Sequence, residues 1–188
     1  AGAGHVVRQF DFLQQNNSLD ALVQEIMEFG PGLIGISVRN IDNVNFMNEQ
    51  YYIDIVKDIV KRAKEVSVAK VILGGAGFSL VPELILKETG ADYGIIGEGE
   101  RLVIDFAAAA AAGIYPEGKL IGPEIRLTGA EIVSARYDEE MMKYYLHSGN
   151  IASVQTKRGC TQKCVYCSYP LLEGSSIRRR DPGMVVDD

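Results

Sequence analysis

Up to Gly113 the chain alternates short β-branched runs with amphipathic stretches at helical spacing. That alternation restricts it to a parallel sheet covered by helices, because parallel strands can be joined only by crossovers long enough to hold a helix. "HVVRQFDF" reads as a strand, and Ser18 then caps a helix whose Leu19, Leu22, Val23 and Ile26 form one apolar stripe ended by Gly30-Pro31. "LIGISV" is a buried strand. Between Met47 and Glu65, Tyr52, Ile55, Val56, Ile59 and Ala63 recur at helical spacing, while Asp54, Lys57, Asp58, Lys61 and Arg62 face outward. "KVILGG" is the next strand. "LVPELILKETG" is a short helix with Pro82 in its first turn and Gly90 at its end, "DYGIIG" a further strand, and Arg101 to Ala112 the last helix of the pattern. The alanine tract from Ala107 to Ala112 suits that helix by propensity.

After Gly113 the pattern breaks. "GKLIGPEIRLTGAEIV" reads as short extended pieces around turns and "DEEMMKYYLHSG" as a helix ending at Gly149, so residues 114–150 form a connector between a first domain, 1–113, and a second, 151–188. "IASVQTKRGC" opens that second domain as a new strand. The expected fold class is therefore α/β, a Rossmann-like parallel sheet with helices on both faces, followed by the connector. The opening "AGAGHVV" resembles the tail of a helix entering a second strand, which leads us to expect a first strand and helix to be missing ahead of it.

With 47% hydrophobic and 23% charged residues, the 188-residue chain has enough apolar material for a packed core. No apolar run approaches the roughly 20 residues that span a bilayer, and the first residues lack the regions of a signal peptide. A cytoplasmic protein with no membrane span is expected. The net charge of −6 coexists with a basic cluster of Lys157, Arg158, Lys163, Arg178, Arg179 and Arg180, opposed by Glu173. One short arginine run without interleaved aromatics points to a solvated face, or to a group balancing an anionic ligand, rather than to nucleic acid.

Ligands of open parallel sheets bind beyond the carboxyl ends of the strands. Here those ends carry Ser37, then Gly74-Gly75, then Gly97 followed by Glu98, Gly99 and Glu100. Glycines there let a ligand approach the backbone and leave N–H groups for phosphate or amide contacts, although strand-to-helix turns use glycine in any case. "GGAGFS" does not match G-x-G-x-x-G and no Walker pattern is present, so a dinucleotide fingerprint is not supported.

The segments "PGLIGISVRN", "VILGGAGFSLVPELIL" and "GADYGIIGEGE" resemble the cobalamin-binding, flavodoxin-like domain found ahead of radical SAM domains. The resemblance covers His5 to about Ala112. It implies that a corrinoid's nucleotide tail enters the glycine-rich edge, at Ser37, Gly74 and Gly75, with Gly97 and Glu98 beside them. The Asp-x-His-x-x-Gly motif that supplies a histidine to cobalt in methionine-synthase-like domains is absent, and His5 lacks its spacing. No protein histidine is expected under the cobalt.

All three cysteines fall in Cys160-x-x-x-Cys164-x-x-Cys167, an odd number too closely spaced for a secreted disulfide framework. Three soft thiolates in one loop suit an iron–sulfur cluster, which usually takes four, and would leave one iron open. Three alternatives stand beside it, one of them accidental clustering. His147 could complete a Cys₃His zinc site, and Cys164 with Cys167 could form a redox pair. The run "TKRGCTQKCVYCSYPLLEGSSIRRRDP" resembles the radical SAM signature, with Gly159 before the first cysteine and Tyr166 before the last. That resemblance implies a [4Fe–4S] cluster held by Cys160, Cys164 and Cys167. Its open iron would bind S-adenosylmethionine and cleave it reductively to a 5′-deoxyadenosyl radical. Tyr166 is then either a partly buried loop aromatic or a residue packing near the adenine. Arg178 to Arg180 form a solvated face or help hold substrate or the methionyl carboxylate.

Too little chain follows Cys167 for a β/α barrel, so the expected content is the barrel's first strand and cluster loop only, without turnover by itself. The functional expectation is a cobalamin-domain radical SAM enzyme acting on a small-molecule or lipid-like substrate with an external electron donor, through methyl transfer to carbon or through rearrangement or cyclisation. A methylthiotransferase and a cofactor-free scaffold are the rival readings.

Overall fold

The computed structural model describes residues 3–123, 125–134, 138–149 and 153–188. The chain divides into two compact units, one of Ala1–Phe10 with Ser18–Glu124 and one of Asp11–Asn17 with Ile125–Asp188.

In the first unit, helix α1 (Leu19–Phe29) starts where the Ser18 hydroxyl accepts the Ala21 N–H and stops where Gly30 turns left-handed. Strand β1 (Leu33–Ser37) leads to α2 (Tyr52–Val66), β2 (Lys70–Gly74), the short α3 (Ala76–Leu80), α4 (Pro82–Thr89), β3 (Tyr93–Ile95), α5 (Glu100–Ala111) and β4 (Leu120–Ile121). The sheet runs β1-β2-β3-β4, with every pair parallel.

Alternation along the strands separates the two faces. Ile34 and Ile36 of β1 lie beside Val71 and Leu73 of β2, and these four pack with Leu22 and Ile26 of α1, Val56 and Val60 of α2, and Ile85 of α4. The intervening Leu33, Ile72 and Ile95 turn to the other face and meet Leu102 and Phe106 of α5. Helices thus cover both faces, as the sequence pattern requires. Val60, Val71, Leu73, Phe78 and Ile85 are fully buried, each adding about 1.5–3 kcal/mol of hydrophobic stabilisation. At the opposite end of β2, Asp92 accepts the Val71 N–H at 2.9 Å and pairs with Lys64 at 3.0 Å.

Four elements differ from expectation. Residues 5–12 form no strand, since neither sheet of the described residues offers them a ladder, and Val6 and Val7 stay exposed. Helix α2 begins only at Tyr52, because Asp42, Asn43 and Asn45 accept backbone N–H groups of the preceding loop and hold it in turns. Helix α3 forms across "AGFSL" despite its glycine. Leu120–Ile121, read as part of the connector, pairs with β3 as β4.

In the second unit, Thr128 and Glu131 form a capping box around a single 3₁₀ turn, Gly129–Glu131. Helix α6 (Glu139–His147) is capped by Asp138, and its Tyr144 and Tyr145 hydroxyls donate to the Leu13 carbonyl and the Asp11 carboxylate. Strand β5 (Lys157–Arg158) pairs antiparallel with β6 (Arg178–Arg179), separated by α7 (Tyr169–Glu173), and α8 (Pro182–Asp187) ends the unit. The strand expected over 151–160 is therefore reduced to β5; residues 151 and 152 lie outside the described residues. Among the described residues no helix is long and apolar enough to cross a membrane.

Candidate functional site

Ser37 and Gly74 are register partners at the carboxyl ends of β1 and β2, joined by a bond from the Val38 N–H to the Gly74 carbonyl at 2.7 Å. The next residue, Gly75, has φ +97° and ψ 171°, a region open essentially only to glycine. A Cβ there would stand 2.6 Å from the Val38 carbonyl oxygen and 3.0 Å from the Ser37 Oγ, so the backbones of the two strand ends approach as closely as they can. Ser79 joins the third strand end to this pair. Its hydroxyl donates to the Gly75 carbonyl at 2.8 Å and accepts the Gly97 N–H at 2.8 Å.

Ser37, Gly74, Gly75 and Gly97 are thus drawn to one edge, with Glu98, only 7% exposed, next in the chain to Gly97. At Gly97 the expectation of an N–H left for a ligand is corrected, because the Ser79 hydroxyl takes it; the N–H groups of Gly77, Phe78 and Ser79 are likewise taken by Val38, Arg39 and Gly75 carbonyls. These bonds explain why α3 forms, since they satisfy first-turn donors that a short helix leaves orphaned. What the edge offers a ligand is its side-chain-free surface at Gly74–Gly75 and the exposed Ser37. Sequence reasoning missed Ser79, whose signal was a serine four residues after Gly75, the spacing of a hydroxyl bonded back to a helical carbonyl.

The loop from Ile41 to Tyr51 also leaves the carboxyl end of β1. Its backbone is pinned by the Asn43 and Asn45 side chains, while Val44, Phe46 and Met47 are about nine-tenths exposed or more.

The cysteine loop runs from β5 to α7. Gly159 is buried at φ +84°, with its missing Cβ position only 2.0 Å from the Ser176 carbonyl oxygen, so no other residue fits at the entry to the loop. Cys160 is half-buried and its N–H donates to the Gly174 carbonyl at 3.1 Å. Cys164 and Cys167 are exposed, linked by a turn in which the Cys167 N–H donates to the Cys164 carbonyl. The thiols share this loop without converging. Among the described residues no three His, Cys, Asp or Glu side chains are gathered to hold a metal ion, and His147, at the end of α6, joins no such group. The donor set nevertheless suits a soft-metal cluster, since three thiols lie in one loop and two of them are exposed.

Tyr166 is 89% exposed, which overturns the reading of it as a partly buried aromatic. Tyr169, the first residue of α7, is the partly buried one. Burial and a hydrogen bond to the Glu173 carboxylate, assisted by the Glu173 and Cys160 charges, push its hydroxyl up to about 12, against the smaller pull of Arg158.

The solvated-face reading of Arg178 to Arg180 also fails for two of the three. Arg180 is only 5% exposed and donates to the Gln155 carbonyl, the Asp188 carboxylate and the Ser134 hydroxyl. Arg178 donates to the Leu127 and Glu173 carbonyls, and only Arg179 faces solvent. Bonds to residues distant in sequence, invisible in the arginine run itself, account for the difference.

Over residues 1–107 the sequence matches the family described as B12 binding domain. It is 24% identical over 220 residues to a tryptophan 2-C-methyltransferase of Streptomyces laurentii, covering 84% of this chain and 37% of that protein. It is 28% identical over 139 residues to a Methanocaldococcus jannaschii protein carrying a methylthiotransferase name, covering 72% of this chain and 29% of the other. The fold matches the radical S-adenosylmethionine methyltransferase TsrM from Kitasatospora setae, solved with cobalamin and a [4Fe–4S] cluster bound. That match has a TM-score of 0.86 at 22% identity and covers 99% of this chain and 40% of that one. The chain spans no more than about two fifths of the length of these proteins.

Proposed function

The chain belongs to the B12-binding domain family, and on that premise we propose that it serves a cobalamin-dependent radical SAM methyltransferase, contributing the corrinoid edge and the cluster loop. The observation that carries this reading is the coexistence, in one chain, of a B12-binding domain over residues 1–107 and a Cys160-x-x-x-Cys164-x-x-Cys167 loop entered through an obligatory glycine.

In this reading Gly74 and Gly75 present bare backbone to the corrinoid, Ser37 donates its hydroxyl, and Gly97 with Glu98 closes the edge. Cys160, Cys164 and Cys167 hold a [4Fe–4S] cluster as thiolates, and the exposed Tyr166 is available to stack on the adenine of S-adenosylmethionine. When bound, the cluster supplies one electron to S-adenosylmethionine, and the corrinoid supplies a methyl carrier. Ser79 keeps the Gly75 and Gly97 turns at fixed spacing, and the exposed Cys164 and Cys167 would complete the ligand set with Cys160. The region beyond residue 150 opens a β/α barrel, the substrate is a small or lipid-like molecule, and an external donor provides the electron.

The relative with a methylthiotransferase name supports a second reading within the radical SAM class. Residues 1–159 contain no cysteine for a second cluster, which favours the methyltransferase. Anaerobic purification of the full-length protein, reconstitution with iron, sulfide and hydroxocobalamin, and measurement of iron content and absorption test the proposal. The expected result is about four irons and one corrinoid per chain. Zinc in place of iron, or no bound corrinoid, would overturn it.

A further inference from the structure

Helix α7 is five residues long, too short to be stable alone, and its last carbonyls would be orphaned without outside partners. Two arginines meet them. Arg126 donates through Nη1 to the Leu172 carbonyl at 2.7 Å and through Nη2 to the Leu171 carbonyl at 3.1 Å, and Arg178 donates to the Glu173 carbonyl at 2.6 Å. Guanidinium groups at a helix C-terminus also complement its dipole. The helix end held in this way accepts the start of the cysteine loop: the Gly159 N–H donates to Glu173 Oε2 at 3.2 Å, and the Cys160 N–H to the Gly174 carbonyl at 3.1 Å. The other Glu173 oxygen lies 3.4 Å from Gln155 Nε2. Gly159 is blocked on its remaining side by Ser176. The backbone that carries the first thiol is therefore anchored, while Cys164 and Cys167 are exposed.

We infer that Glu173 is a positioning residue that, braced by Arg126 and Arg178, presets the Cys160 backbone so that this thiol is the first ligand of the set that the exposed Cys164 and Cys167 complete. This rests on the reading of the loop as a cluster site. Residues 125–134, expected from sequence to be a connector, supply part of the brace.

The test uses the full-length protein with Glu173→Gln, Arg126→Gln and the milder Arg126→Lys, and Arg179→Gln as a charge control on the exposed arginine. Amide hydrogen exchange at Gly159 and Cys160 is read without metal. Iron loss to a chelator and the midpoint potential are read after loading with iron and sulfide. Glu173→Gln and the Arg126 variants should speed exchange and iron loss about tenfold, the effect of losing one charge-assisted bond. Glu173→Gln should also move the potential positive by removing a carboxylate charge beside the loop. Arg179→Gln should match wild type. Unchanged exchange and iron loss in the Glu173 and Arg126 variants, or an equal change in Arg179→Gln, would overturn the inference. Failure of the wild-type protein to take up iron overturns the cluster reading and this role with it, an outcome visible in wild type alone.

Discussion

Replacing Gly75 by alanine probes the point on which the glycine-rich edge depends. Two costs act together. At φ +97° and ψ 171° a residue with a Cβ occupies a region that costs about 1–3 kcal/mol. The new methyl would also meet the Val38 carbonyl oxygen at 2.6 Å, and that oxygen cannot retreat easily because it already accepts the Gly77 and Phe78 N–H groups. Forcing such a contact adds about 1–3 kcal/mol, for a combined loss of about 2–6 kcal/mol. Against a domain stability of about 5–15 kcal/mol this is a large share. Gly90→Ala is the control: Gly90 is also left-handed, at φ +70°, but a Cβ there meets nothing within 4 Å, so only the backbone cost of about 1–2 kcal/mol applies. Urea unfolding of both variants followed by far-ultraviolet circular dichroism measures the difference. If Gly75→Ala falls within about 0.5 kcal/mol of Gly90→Ala, the close approach of the two strand ends is wrong.

Ser79→Ala leaves the Gly97 N–H without its hydroxyl acceptor, which should cost about 1–3 kcal/mol in urea unfolding and weaken hydroxocobalamin binding in an absorbance titration. Cys164→Ala should abolish iron uptake while leaving the unfolding free energy within about 0.5 kcal/mol of wild type, because the side chain is exposed; colorimetric iron analysis and urea unfolding check both halves. Burial of Asp92 works against its charge, but the Val71 N–H bond, the Lys64 hydrogen bond and the Lys64 and Lys70 charges outweigh it and hold the carboxyl below its ordinary value. A depressed folded-state value means the unfolded chain takes up the proton first. The Asp92 contribution is therefore complete above about pH 4 and is lost as pH falls through the folded value, so Asp92→Asn should flatten the fall in urea midpoint below about pH 4.

The helices that carry their own stop signals were legible from sequence. Ser18 and Gly30 bound α1, Pro82 and Gly90 bound α4, and both helices fall where those residues put them. The elements that were not legible are those made by partners distant in sequence. Helix α3 depends on the Val38 and Arg39 carbonyls, and β4 is two residues long and exists only by pairing with β3. Conversely, "HVVRQFDF" has strand composition without a ladder to join. At the site, the edge residues were readable because strand ends in this architecture are known in advance, whereas Ser79 links turns that sequence order keeps apart. The arginine run misled for the same reason: the partners that bury Arg180 are Gln155, Ser134 and Asp188, spread across the second unit.

In the proposed function three cysteines hold a cluster with one iron left for S-adenosylmethionine. Electron paramagnetic resonance of the reduced, reconstituted full-length protein, recorded before and after adding S-adenosylmethionine, is the test. The expected result is a reduced [4Fe–4S] signal whose g-values shift when S-adenosylmethionine is added, and which is missing in Cys164→Ala. A cluster signal unchanged by S-adenosylmethionine, or one that survives Cys164→Ala, would contradict it.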